Sequence, residues 1–330
     1  MKQYAITVTA RKKAELLPLD EPVEVAPGEV FGRTIVTLIS PGTELEWNFL
    51  GNQRDPAKAF PSRPGYSAIF LVEKAGAEVR GLKAGDIAFC MGNHQSFQMH
   101  EAQQVVPVPK GLPPRAAVLA RLMGVTMTTL MTTSARPGDI VIVTGAGPVG
   151  YLGAHMFSHS GYDVRVVEPD ERRREIAKKS GIRLVYPEMP LSDEGVKNRV
   201  ALVLECSGHE KAVLDGARVV REGGEVVLVG VPWRRKTEIL AHELLHEVFH
   251  RYAVIRSGWE WELPRWSEPF RPHSIFSGFH LALKWLAEKR IPLDGLIAMH
   301  DPSEAQSLYE SLLLGKTGGL FQMFDWETRK

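Results

Sequence analysis

The sequence predicts an α/β fold, a doubly wound parallel sheet inserted into a β-rich domain. Three observations carry that reading. Residues 1 to about 118 read as short strands broken by Pro and Gly. From about 119 the chain alternates helix with strand, the pattern of a parallel sheet covered on both faces. Between one such strand and its helix, Val141-Ile-Val-Thr-Gly-Ala-Gly-Pro-Val-Gly150 spells G-x-G-x-x-G where that pattern has meaning.

The elements follow in order. Ala5 to Thr9, Val30 to Ile39 and Tyr66 to Val72 are the clearest N-terminal strands. Turns at Ala26-Pro-Gly, Ser40-Pro-Gly, Arg63-Pro-Gly and Lys83-Ala-Gly-Asp punctuate them. A helix over Val118 to Thr133 leads to the glycine-ended strand, and a second begins after Gly150. Strand Asp163 to Glu168 and helix Glu171 to Ser180 come next, followed by strand Val200 to Cys206 and helix Glu210 to Arg221. Strand Glu225 to Gly230, helix Glu238 to Arg251 and strand Ala253 to Arg256 complete the alternation. After Gly258 come an aromatic loop, Trp259 to Trp266, a helix from about Gly278 to Glu288, and a mixed C-terminal segment. The first block is a poor core by itself, so the chain is expected to return to it. That gives domains of 1–120 with 264–330, and 121–263 between them.

Composition sets outer limits. At 330 residues two domains are expected, and 44% hydrophobic against 24% charged residues is globular. Lys and Arg total 40 against 39 Asp and Glu, so no net field draws nucleic acid or an anionic membrane. Cys90 and Cys206 read as reduced, packed residues. No signal-peptide core and no membrane-length apolar run is seen, which makes the cytoplasm the expected compartment.

Each glycine of the motif has a physical task. Gly145 permits the tight turn, Gly147 lets backbone approach a pyrophosphate, and Gly150 allows close packing of the helix. Pro148 and Val149 open that helix, whose N–H groups face the phosphates. Glu168, at the end of the next strand, suits the adenosine ribose hydroxyls and repels a 2′-phosphate, so NAD is the expected cofactor. Arg172 and Arg173 follow closely and keep NADP open as the lesser choice.

Lys83-Ala-Gly-Asp86, Arg136-Pro-Gly-Asp139, Gly145 to Gly150, Glu205-Cys-Ser-Gly208 and Arg221 to Gly230 together resemble the medium-chain dehydrogenase/reductase superfamily. The resemblance covers almost the whole chain. It implies a GroES-like substrate domain, a Rossmann cofactor domain, and usually a homodimer. It also implies that Glu205, Cys206, Ser207, Gly208, Val229, Gly230 and Val231 sit at strand ends facing the cofactor, where ligands bind in such sheets.

The departures from the superfamily bear on mechanism. Zinc members carry Cys where this chain has Pro41, Gly-His-Glu where it has Gly65-Tyr-Ser67, and Glu or Cys near Ala120. The four-cysteine structural-zinc lobe is missing between Asp86 and Gln98. A metal-free enzyme is therefore expected, and a side chain must handle the hydroxyl proton that zinc would otherwise help release. Thr43 matches the hydroxyl of the superfamily's proton relay. Tyr66 stands at the zinc-ligating His position, His94 is the nearest group titrating near neutral pH, and Glu44 is placed to orient one of them. The plainer readings are that Tyr66 fills volume, His94 lies in a surface turn, and Glu44 is structural.

Trp47, Arg121 and Trp259 are the substrate candidates. Aromatic faces beside polar groups suit a sugar or cyclitol ring, and equally a flat tetrapyrrole or quinone. A domain staple or dimer contact explains the tryptophans about as well. The string Ala241-His-Glu-Leu-Leu-His246 matches the zinc-protease HExxH. It falls where the alternation requires a sheet-covering helix, so a surface helix is the better reading. The expected function is NAD-dependent, zinc-independent oxidation of a secondary alcohol of a sugar, polyol or cyclitol. A quinone or enone reductase and a non-catalytic nucleotide-binding scaffold are the alternatives.

Overall fold

The computed structural model describes residues 3–20, 24–52 and 59–328. The chain divides into two compact units. The first comprises Met1–Arg121, Leu283–Lys289 and Leu293–Lys330; the second comprises Leu122–Ala282 and Arg290–Pro292. The chain passes back at Leu283, inside a helix, where the sequence reading placed the return near 264.

The first unit is strand-rich. A hairpin of β1 (Gln3–Ala10) and β2 (Lys13–Leu19) stands apart from a seven-stranded sheet. That sheet holds β3 (Glu29–Leu38), β4 (Ala68–Ala75), β5 (Ile87–Cys90), β6 (Phe97–Glu101) and β7 (Val105–Pro107). The C-terminal strands β14 (Ile297–His300) and β15 (Phe321–Asp325) join it, so that β15 pairs antiparallel with β3. Ile6, Val8, Ile39, Phe49, Tyr309, Phe324 and Trp326 pack into one buried cluster. The unit's core therefore depends on residues from both ends of the chain.

The second unit is a six-stranded parallel sheet. Its strands are β8 (Ile140–Thr144), β9 (Asp163–Val167), β10 (Leu184–Tyr186), β11 (Val200–Glu205), β12 (Val220–Leu228) and β13 (Val254–Ser257). They lie in the order β10-β9-β8-β11-β12-β13. Alternate residues serve opposite faces, as a strand's period of two requires. Val141, Val143, Leu202 and Leu204 pack on one side with Ala154 and Phe157, while Ile142, Val203 and Val226 pack on the other with Ala217 and Val219. Burial on both faces explains why these strands read as continuous apolar runs. The helices are α1 (Ala120–Thr132), α2 (Pro148–His159), α3 (Glu171–Lys179), α4 (Glu210–Val219), α5 (Ala241–Arg251) and α6 (Ile275–Ala287), with α7 (Ala305–Leu313) in the first unit.

Several boundaries move. α5 starts at Ala241 rather than Glu238, and β12 begins at Val220 rather than Glu225. The edge strand β10 is absent from the sequence reading, being three residues long and half exposed. Ser40-Pro-Gly-Thr, read as a turn, opens a helical turn (Pro41–Thr43) that widens into a π-helical stretch, Glu44–Phe49. Pro41 suits the first turn because its missing N–H has no helical acceptor there.

Candidate active site

In the second unit the strand order reverses between β8 and β11, and a doubly wound sheet binds its ligand beyond that point. β8 is followed by Gly145, whose φ of +84° is the left-handed conformation that favours glycine. A Cβ on Gly150 would lie 1.8 Å from the Gly145 carbonyl oxygen, so Gly150 is forced by the turn itself. Gly147 caps α2, and within 4 Å a Cβ there would meet only Arg173, at 3.8 Å. The outer face of the turn thus admits a phosphate group beside the first N–H groups of α2, after Pro148 and Val149 begin the helix. These residues fit a dinucleotide.

Glu168, just past β9, is buried. Its carboxylate accepts the N–H of Ala146 at 2.6 Å and of Asp170 at 2.9 Å, and Arg173 lies 3.8 Å away. It therefore pins the glycine turn. Glu205, which opens the Glu205–Gly208 strand end expected to face the cofactor, does the same for the neighbouring loop. It accepts the Ser207 N–H at 2.7 Å, the Gly208 N–H at 3.1 Å, and the hydroxyls of Ser207 and Thr144. Burial pushes its carboxyl up, against those hydrogen bonds. Gly230 packs so closely on this loop that a Cβ would come 2.3 Å from the Gly208 nitrogen. Cys206, Ser207, Gly208, Val229, Gly230 and Val231 thus belong to one connected rim, and Lys236 ties it by donating to the Ser207 carbonyl at 2.8 Å. Burial raises the Cys206 thiol, and the Glu205 charge adds to it, so the thiol stays protonated.

In the first unit, Tyr66 lies two residues before β4 and is half buried. The Arg121 guanidinium lies 4.7 Å from its ring centroid, and the Ser40 and Thr43 hydroxyls favour its ionised form. Burial pushes the phenol up, while Arg121 acts in the opposite direction. Ser40 is the member that sequence reasoning missed. No local pattern marks it, because its role depends on the helical turn it starts.

His94 takes a different part from the one expected. It is 0% exposed, with Nδ1 2.7 Å from the Thr37 hydroxyl and Nε2 2.8 Å from Glu44. Glu44 also accepts the Ser40 N–H at 2.7 Å and the Tyr309 hydroxyl at 2.8 Å, while Trp326 donates to Thr37 at 3.0 Å. In the tautomer that carries the ring proton on Nε2, Trp326 donates to Thr37, Thr37 donates to Nδ1, and Nε2–H donates to Glu44. Burial and the Glu44 charge hold the Tyr309 phenol well up, so it remains a donor. Gly65 packs against His94, where a Cβ would come 2.6 Å from its backbone nitrogen. His94 and Glu44 are brought together, but as a buried brace behind the Ser40–Thr43 turn and Tyr66.

The residues at the expected zinc positions do not fit the metal. Pro41 and Ala120 offer no donor, the Ser67 hydroxyl is spent on the Val118 carbonyl at 2.8 Å, and Tyr66 is engaged as described. Among the described residues no three His, Cys, Asp or Glu converge on a metal-sized site. The HExxH segment forms α5. Leu244 faces the sheet core, while His242, Leu245, His246, Phe249 and His250 are exposed. Trp47 of the first unit and Trp259 of the second are both exposed. Nearby, Arg265 lies 5.5 Å from the ring centroids of both Trp261 and Trp266, and Trp266 stacks on Phe276.

Comparison with known proteins agrees with this geometry. The sequence model for zinc-binding dehydrogenases matches residues 148–262. The L-threonine 3-dehydrogenase of Pyrococcus abyssi is 32% identical over 260 residues, covering 66% of this chain and 72% of that protein. The chain belongs to the medium-chain dehydrogenase/reductase superfamily. It is thus an oxidoreductase of the dehydrogenase type. A sorbitol dehydrogenase of Halalkalibacterium halodurans is 26% identical over 166 residues, covering 45% of this chain and 48% of that one. Galactitol-1-phosphate dehydrogenase from Escherichia coli shares the fold with a TM-score of 0.82 at 15% identity, over 98% of this chain and 99% of its own.

Proposed function

We propose that this dehydrogenase interconverts a secondary alcohol of a sugar, polyol or cyclitol with its ketone, preferring NAD and using no zinc in the reaction. The observation that carries the reading is that Tyr66, at the position expected for a zinc-ligating His, lies beside the Ser40 and Thr43 hydroxyls and the buried Arg121. Bound nicotinamide supplies the hydride acceptor or donor; the residues govern the proton. Thr43 and Tyr66 contact the reacting oxygen, while Glu44 and His94 hold the turn that presents Thr43. Glu168, Arg173 and the glycine turn hold the adenosine half of the cofactor. The likeness to a sorbitol dehydrogenase supports a polyol, with Trp47, Trp259 and Arg121 as candidate substrate contacts.

The exposed Leu245, Phe249, Tyr252 and Val254 offer an apolar face for a homodimer. Among the described residues no helix is long and apolar enough to cross a membrane. Two separate cysteines fit a reducing compartment, and we place the enzyme in the cytoplasm.

Reduced-nicotinamide absorbance, followed over sugars, cyclitols, aliphatic alcohols and quinones, tests the proposal. Turnover of polyols or cyclitols with NAD supports it. Turnover confined to quinones or enones makes the enzyme a double-bond reductase, and cofactor binding without any turnover makes it a scaffold.

A further inference from the structure

We propose that Arg121 and Tyr66 work as one proton-transfer pair, in which Tyr66 exchanges a proton with the reacting oxygen and Arg121 steadies the phenolate this creates. The inference rests on the reading that the Tyr66 cluster meets the substrate.

The geometry supports it. Arg121, in the first turn of α1, is 6% exposed. Its guanidinium lies over the ring face of Tyr66, 4.7 Å from the centroid, within reach for a cation–π contact and close enough to act on a charge on that ring's oxygen. Among the described residues, two charged groups bear on Tyr66. They are Arg121 from α1 and Glu44 from the turn after β3, alongside the neutral hydroxyls of Ser40 and Thr43. Glu44 opposes a phenolate, but its charge is shared among the Ser40 N–H, His94 and Tyr309. Arg121 is the stronger of the two influences. Burial keeps Tyr66 a phenol at neutral pH, so it stands ready as an acid.

In ketone reduction the substrate carbon takes hydride from a reduced nicotinamide dinucleotide, and the C=O π pair moves onto oxygen. That oxygen takes the Tyr66 proton as the phenolic O–H bond breaks. The phenolate is left beside Arg121, and water returns its proton. Alcohol oxidation reverses each transfer and therefore requires the phenolate, so its rate rises with pH until Tyr66 is ionised. Tyr66 is the catalytic residue here, and Arg121 is a positioning residue.

The test is fluorine NMR on protein carrying fluorotyrosine, whose phenols titrate low enough for the fold to survive. Tyr66→Phe assigns the Tyr66 signal. Removing the charge in Arg121→Gln raises the Tyr66 midpoint by about one to three pH units, and the rising limb of the oxidation profile moves with it. Arg121→Lys restores most of both. Arg121→Met is a second neutral variant should Arg121→Gln fold poorly. A merely structural arginine would lower the melting temperature and leave the midpoint where it was. An unmoved midpoint overturns the pairing even if alcohols are still oxidised. A midpoint that moves in a protein turning over no alcohol, ketone or quinone overturns the dehydrogenase reading, and the proton transfer with it.

Discussion

The glycine turn of the second unit and the hydroxyl cluster of the first are built in opposite ways. The turn is a backbone device. Gly145, Gly147 and Gly150 shape it within six residues, and Glu168 and Glu205 fasten it and its neighbouring loop through N–H groups. The cluster is a side-chain device. Ser40, Thr43, Tyr66 and Arg121 come from three segments, and the brace behind them reaches from Thr37 to Trp326. A backbone site is specified by local spacing and survives many changes around it. A side-chain site is specified by the whole domain, and one lost partner leaves several polar groups unsatisfied.

That contrast can be broken or sharpened by substitution. Glu44→Leu has the largest expected effect, since it strips the acceptor from the Ser40 N–H, His94 and Tyr309 together. Chemical denaturation should show a loss of about 3–5 kcal/mol, and Glu44→Gln clearly less. A loss under about 1 kcal/mol would mean that the brace is not what holds the turn. Gly150→Ala comes next. Its methyl group would press on the Gly145 carbonyl, costing about 3 kcal/mol and abolishing dinucleotide binding by calorimetry. Retained affinity would deny the turn its role.

Acid stability separates the units further. Burial holds the His155 imidazole down to about 4, and the nearby His159 adds to this, against an ordinary value of 6.5. The folded value lies below the unfolded one, so this stability is present above pH 6.5 and is lost as pH falls from 6.5 toward 4. The loss is on the order of 2 kcal/mol, and His155→Gln should flatten melting temperature against pH across that window. An identical slope in the variant would place the acid sensitivity elsewhere. The smallest effect is that of Glu168→Ala. It should shift the NAD-to-NADP preference by about tenfold toward NADP, near 1.4 kcal/mol, with Arg173 then free to meet a 2′-phosphate. An unchanged preference would remove Glu168 from ribose recognition.

How much could be read from the chain follows the same division. The parallel sheet and the glycine turn were legible because period, spacing and turn chemistry are local. The cluster was legible only in pieces. Thr43, Tyr66 and Arg121 were named singly, with nothing in the sequence to say that Arg121 lies over the Tyr66 ring. His94 read either as the nearest group titrating near neutral pH or as a residue of a surface turn, whereas packing from Phe324, Thr37 and Gly65 buries it. Tyr309 carried no signal, since its bond to Glu44 spans 265 positions. Ser40 became visible only once the turn at Pro41 proved helical.

The central claim is that side-chain hydroxyls move the substrate proton without a metal. The direct measurement is the NAD-dependent oxidation rate of a polyol or cyclitol by enzyme stripped with chelator and checked for zinc, for wild type and Tyr66→Phe side by side. Full wild-type activity after stripping, with kcat lower by about 10²–10⁴-fold in Tyr66→Phe and NAD affinity unchanged, is the predicted result. Activity that vanishes on stripping and returns with added zinc, or a Tyr66→Phe enzyme as fast as wild type, would contradict it.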